Sequence, residues 1–100
     1  MLENFKKYRS TKKNLALTMT DNGFIVRYHW TDIVEVKNEY IILRSGGWET
    51  PSTKNHINAV IREFGLSISQ VKWRWFLSGK NIGTVPFTNG MSVPTLEALL

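Results

Sequence analysis

The stretch that decides the fold runs from Thr50 to Gly65: Thr-Pro-Ser-Thr-Lys-Asn-His-Ile-Asn-Ala-Val-Ile-Arg-Glu-Phe-Gly. It carries every mark of one helix. Thr50 can cap the start, its hydroxyl accepting a backbone N–H of the first turn. Pro51 then occupies the first helical position, where its missing N–H costs nothing. Ile57, Val60, Ile61 and Phe64 fall at i, i+3, i+4 and i+7, one apolar stripe. Gly65 suits a left-handed C-terminal cap, with Leu66 as the apolar residue beyond it. The spacing predicts a helix over about residues 51–64, with Lys54, Asn55, His56, Asn58 and Arg62 on its polar face.

On both sides of this helix the period changes from helical to two. Leu15, Leu17 and Met19 alternate with smaller or polar residues, Asn22-Gly23 gives a turn signal through residues that tolerate positive φ, and Phe24 to His29 returns. Asp32 to Val36, the turn Lys37-Asn38-Glu39 and Tyr40 to Arg44 form a second hairpin, in which Val34 and Val36 can share a face with Ile41 and Leu43. After the helix, Ser67 to Leu77 is rich in β-formers. It reads either as one strand or as two joined by a bend near Val71–Trp73. Ile82 to Phe87 is a final strand, which Pro86 places at an edge, and the tail from Met91 is expected to add a short turn after Pro94. Strands, one helix, then strands give an α+β domain: a mainly antiparallel sheet packed on the helix of residues 51–64, with a partly closed barrel as a variant.

The 100 residues fit one domain. There is no cysteine, which excludes disulfides and thiolate metal sites. No apolar run reaches the length of a membrane span, and no apolar signal segment follows the N-terminal residues. The expected setting is cytoplasmic, without membrane association. The net charge is +5, and its position matters more than its size. Lys6, Lys7, Arg9, Lys12 and Lys13 face only Glu3 within residues 1–13, which leaves the rest of the chain close to neutral. Residues 1–13 therefore read as an irregular basic N-terminal arm ahead of a domain spanning 14–100. Such an arm attracts phosphate or an acidic protein surface, or is simply solvated.

Chemistry is sparse. His29 and His56 pair with no nucleophile at a recognisable spacing. There is no metal-ligand motif, no phosphate-binding loop and no cofactor fingerprint, so neither an enzyme, a metal nor a cofactor is expected. Three features remain. Thr53 and Lys54 follow Gly46-Gly47 at the helix start, an anion site in principle or an ordinary cap. Arg74 lies between Trp73 and Trp75, an arrangement that stacks bases and holds phosphates if exposed. In a straight strand both tryptophans would be core, whereas a bend near Val71–Trp73 exposes one of them. Trp30 and Trp48 would serve as anchors for a protein partner if they are exposed.

Thr31-Asp32-Ile33-Val34, Leu43-Arg44-Ser45-Gly46-Gly47-Trp48-Glu49-Thr50, Thr53-Lys54 and Ile57-Asn58 together resemble a signature of small proteins encoded by tailed bacteriophages. Gln70, Trp75-Phe76 and Phe87-Thr88-Asn89-Gly90-Met91 extend the resemblance over roughly residues 24–93. Pro51 and the Trp73-Arg74 segment depart from it. The resemblance implies a viral origin, the host cytoplasm, and binding of host macromolecules. Three functions stay open: a nucleic-acid-binding accessory protein using the basic arm, Thr53, Lys54 and Arg74; a protein-binding inhibitor or modulator of a host enzyme or defence complex, using Trp30 and Trp48; and a homo-oligomer associating through free strand edges.

Overall fold

The computed structural model describes residues 2–94. Its elements run α1 (Glu3–Ser10), β1 (Leu15–Met19), β2 (Phe24–Tyr28), β3 (Thr31–Val36), β4 (Tyr40–Leu43), α2 (Pro51–Ile61), β5 (Leu66–Val71), β6 (Arg74–Gly79), β7 (Gly83–Pro86) and β8 (Met91–Pro94). The α+β class holds. Among the described residues the strands form two open antiparallel sheets, one ordered β1-β2-β3-β4-β8 and one ordered β5-β6-β7, and no barrel closes.

α2 forms where its signals place it. Thr50 Oγ1 accepts from the Thr53 N–H at 3.3 Å, Pro51 opens the helix, and a 3-10 turn carries it from Arg62 to Phe64. Gly65 then caps it at a left-handed φ of 74°. The stripe Ile57, Val60, Ile61 and Phe64 is buried. In the sheet beneath, Val34 pairs with Leu43 and Val36 with Ile41, and all four are buried. One core takes in α1, α2 and both sheets.

Asn58 joins α2 to the second sheet. Its amide donates to the Ile68 carbonyl at 2.9 Å and accepts from the Ile68 N–H at 2.7 Å. That side chain stands in for a strand partner on β5, an edge strand of its sheet, and so blunts part of an edge that could otherwise pair with another chain.

Several expectations change. Residues 1–13 are not an irregular arm, because Glu3–Ser10 is helical. Phe5 is fully buried, and Leu2 and Tyr8 pack on the same core. The three residues sit three apart, so they share one helix face. Glu3 in the first turn and Lys7 and Arg9 in the last turn oppose the helix dipole. This helix covers the side of α2 read as polar, and His56 is therefore buried. The Tyr8 hydroxyl lies 2.8 Å from His56 Nδ1, and the Tyr28 ring meets the imidazole edge-on with centroids 4.4 Å apart. Burial, with the charges of Lys12 and His29 adding to it, holds His56 below its ordinary histidine range, and burial pushes the Tyr8 phenol up. A neutral imidazole and a neutral phenol are the forms that this packed contact accommodates.

The Asn22-Gly23 turn is present, but neither residue takes positive φ. Glycine is needed there for space, since a Cβ would collide with the Val36 carbonyl. The last described strand is not the one ending at Phe87. Met91–Pro94 forms β8 and pairs with β4, which places residues 91–94 at the edge of the first sheet. β7, with Pro86, is an edge strand as expected. The turn expected after Pro94 lies outside the described residues.

The segment Ser67 to Leu77 resolves as two strands. Lys72 and Trp73 form a two-residue turn closed by the Val71–Arg74 pair. Both residues have positive φ, 49° and 70°, the signature of a type I′ turn. Non-glycine residues held in this region cost roughly 1–3 kcal/mol each. The bend breaks the alternation, so Trp75 is buried against Phe87 while Trp73 is 88% exposed.

Candidate nucleic-acid interface

Two hairpin and loop devices place two tryptophans beside one cleft. The first is the β2–β3 turn. Tyr28 pairs with Thr31, so His29 and Trp30 are its two central residues. His29 alone has positive φ, at 55°, as in a type II′ turn. Trp30 is thrust outward and is 91% exposed. An ion pair behind the turn, Arg27 Nε to Asp32 Oδ1 at 2.8 Å, ties β2 to β3.

The second device is the loop from Ser45 to Thr50. Asn89, from the turn before β8, accepts from the N–H groups of Ser45 at 2.9 Å and Gly46 at 3.2 Å. The Ser45 hydroxyl accepts from the Gly47 N–H, and the Ser45 carbonyl accepts from the Trp48 N–H. Gly46 sits at a φ of 65°, and a Cβ there would run into the Thr31 side chain. The loop is thus fixed from both sides, and it presents Trp48 at 71% exposure. Asn89 and Ser45-Gly46 are far apart in sequence, and the fold brings them together.

Between these devices lies a cleft of about 530 Å³ lined by Trp30, Trp48, Tyr28 and His29, with Thr50, Ser52 and Thr53 at the start of α2. A second groove of about 500 Å³ shares His29 and Trp30 with it and continues past Arg9, Lys12 and Asn14. Lys12 Nζ stands 5.0 Å over the Tyr8 ring. Neither Arg9 nor Lys12 has a carboxylate partner among the described residues. Arg9 Nη1 donates to the Leu15 carbonyl at 3.5 Å, so aromatic faces, hydroxyls and two cations without carboxylate partners line two adjoining depressions. Such a surface can stack a flat ring and neutralise phosphate.

Of the residues singled out from sequence, Trp30, Trp48, Arg9, Lys12 and Thr53 meet at this paired cleft and groove. Thr53 is buried, with its hydroxyl 3.1 Å from that of Thr50, so it shapes the cap and floor rather than offering a free anion contact. Lys6, Lys7 and Lys13 are exposed but line neither cavity, and Lys54 is half-buried outside both. Arg74 is elsewhere, at the β5–β6 turn. Tyr28, His29 and Asn14 were not singled out for the site. The one signal for His29 was its place in the aromatic run Tyr28-His29-Trp30. Among the described residues, no group of three His, Asp or Glu side chains is placed to hold a metal ion, and no helix is long and apolar enough to cross a membrane.

A family model described as Kyanoviridae Gp96 protein matches residues 1–94. The chain belongs to this family of bacteriophage proteins. No curated protein and no solved structure matches it. Membership of the Kyanoviridae Gp96 family agrees with the phage resemblance read from the Gly-Gly-Trp and Phe-Thr-Asn-Gly segments. Within this member of the family, those two segments are the ones that Asn89 bonds together beside the cleft.

Proposed function

We propose that this phage protein is a non-enzymatic binding protein whose ligand is nucleic acid, acting as an accessory factor in the host cytoplasm. One observation carries the reading: the cleft edged by Trp30 and Trp48 adjoins the groove of Arg9 and Lys12, His29 and Trp30 lining both. Bases stack on indoles whatever their identity, and phosphates follow cations, so the surface suits an unpaired strand with little sequence preference. The strained turn supports it as well. Strain tends to persist where it positions a functional group, and His29 holds Trp30 outward.

A protein partner is the second reading, because exposed tryptophans also anchor protein interfaces. It would make the same residues the contact to a host enzyme or defence complex. Salt separates the two. Binding of a single-stranded oligonucleotide should weaken linearly on a log–log plot against salt, with a slope of about −0.7 per phosphate neutralised. Arg9→Gln and Lys12→Gln should each make that slope shallower by roughly 0.7. Titration by fluorescence anisotropy at a series of salt concentrations measures this. No binding at low salt removes the nucleic-acid reading and leaves the protein partner.

A further inference from the structure

We infer that the β5–β6 turn is a second contact, a finger whose Trp73 indole stacks on an unpaired base while Lys72 and Arg74 hold the flanking phosphates. This rests on the nucleic-acid reading above but on a different part of the molecule. The hairpin is anchored at its base by Leu66, Ile68, Trp75 and Leu77, all buried. From Ser69 to Arg74 every residue is exposed, so the end of the hairpin stands clear of the body. Trp73 is 88% exposed and Val71 54%, and Trp73 makes no ring contact among the described residues.

The turn geometry is what makes this exposure informative. A two-residue turn with both residues at positive φ is easiest for Asn-Gly. Here the positions hold Lys72 and Trp73, at 49° and 70°. Neither burial nor a ring partner within the fold offsets the strain on Trp73. Strain without an internal return points outward, to a ligand.

The chemistry around the indole names its class. Lys72 and Arg74 flank it, and neither makes an ion pair among the described residues. A flat aromatic face between two uncommitted cations complements a flat base between two phosphates. A base inside a duplex is already stacked on both faces, so the complement is a single strand.

The test compares the wild type with Trp73→Gly and Trp73→Phe. Anisotropy titrations use labelled oligo-dT, oligo-U and a mixed duplex, each of about 20 nucleotides per strand, enough to span the site of a small single-strand binder. Trp73→Gly relieves the turn, so its melting temperature should rise by several degrees, which also shows that the variant folds. Its affinity for one or both single strands should fall roughly 5- to 150-fold, with the duplex affinity changed less than about twofold. Trp73→Phe keeps a stacking face and should retain most of the affinity. Loss on oligo-dT alone makes the ligand DNA, and loss on oligo-U alone makes it RNA. If Trp73→Gly binds single strands like the wild type, the finger is overturned while the cleft reading stands. If it loses single strand and duplex equally, base stacking is overturned. If the wild type binds no nucleic acid, both readings fall together.

Discussion

Phe5→Ala should lower the stability of the protein by about 3–5 kcal/mol, the usual cost of emptying a buried phenylalanine site. Phe5 has no exposed surface. It is the one fully buried residue of α1 and the main tie between that helix and the body, with Leu2 and Tyr8 packing beside it. Its loss removes apolar burial and leaves a cavity under the helix. It also loosens the seat of Tyr8, whose hydroxyl meets His56. Domains of this size have only about 5–15 kcal/mol in all, so a large part of the margin goes. Lys6→Gln and Lys7→Gln, on the exposed face of the same helix, should stay within about 0.5 kcal/mol of the wild type. Urea unfolding followed by tryptophan fluorescence measures all three. A loss below about 1 kcal/mol for Phe5→Ala would mean that α1 merely rides on the surface. For the same reason, deleting residues 1–13 is not a clean test of their charge. It takes out part of the core, and point substitutions at Arg9 and Lys12 are needed instead.

The double variant Trp30→Ala/Trp48→Ala should weaken single-stranded oligonucleotide binding by about 30-fold or more, since each stacked base contributes roughly 1–3 kcal/mol. The two tryptophans come from separate devices, the β2–β3 turn and the loop fixed by Asn89. Their effects should therefore combine close to additively in free energy. Both side chains are largely in solvent, so the melting temperature should barely move. That contrast is diagnostic. A variant that binds as well as the wild type would remove the cleft from the account. One that loses stability along with binding would make the tryptophans structural. The salt slope should be unaffected, because the cations of the groove remain.

How much of this was legible beforehand depended on where the signal lay. α2 could be read to within a residue because its cap, its stripe and its terminal glycine are all local. The hairpins of the first sheet could be read for the same reason. α1 could not, because five cations hide Leu2, Phe5 and Tyr8, a face only three residues long. His56 was misplaced as a consequence: a helix face that is polar in sequence became interior once a second helix covered it. β8 is four residues ending in proline, and its pairing with β4 is long-range. Lys72-Trp73 lacks the usual turn residues, so the sequence leaves the bend open, and it is the positive-φ turn of the fold that parts Trp73 from Trp75. The site was half legible. Trp30, Trp48, Arg9 and Lys12 stood out by type, but nothing local joins residues 9, 12, 30 and 48. That joining is the work of the Asn89 bonds and of α1 packing on α2.

Binding of a single strand at the two tryptophans is read directly by an amide and indole correlation spectrum of the full chain, recorded with and without a short single-stranded oligonucleotide. Four tryptophans give four indole signals. Those of Trp30 and Trp48 should shift on titration, together with the amides of Arg9 and Lys12, while buried Trp75 stays in place. A spectrum in which the oligonucleotide leaves the Trp30 and Trp48 signals unmoved would contradict binding at the two tryptophans.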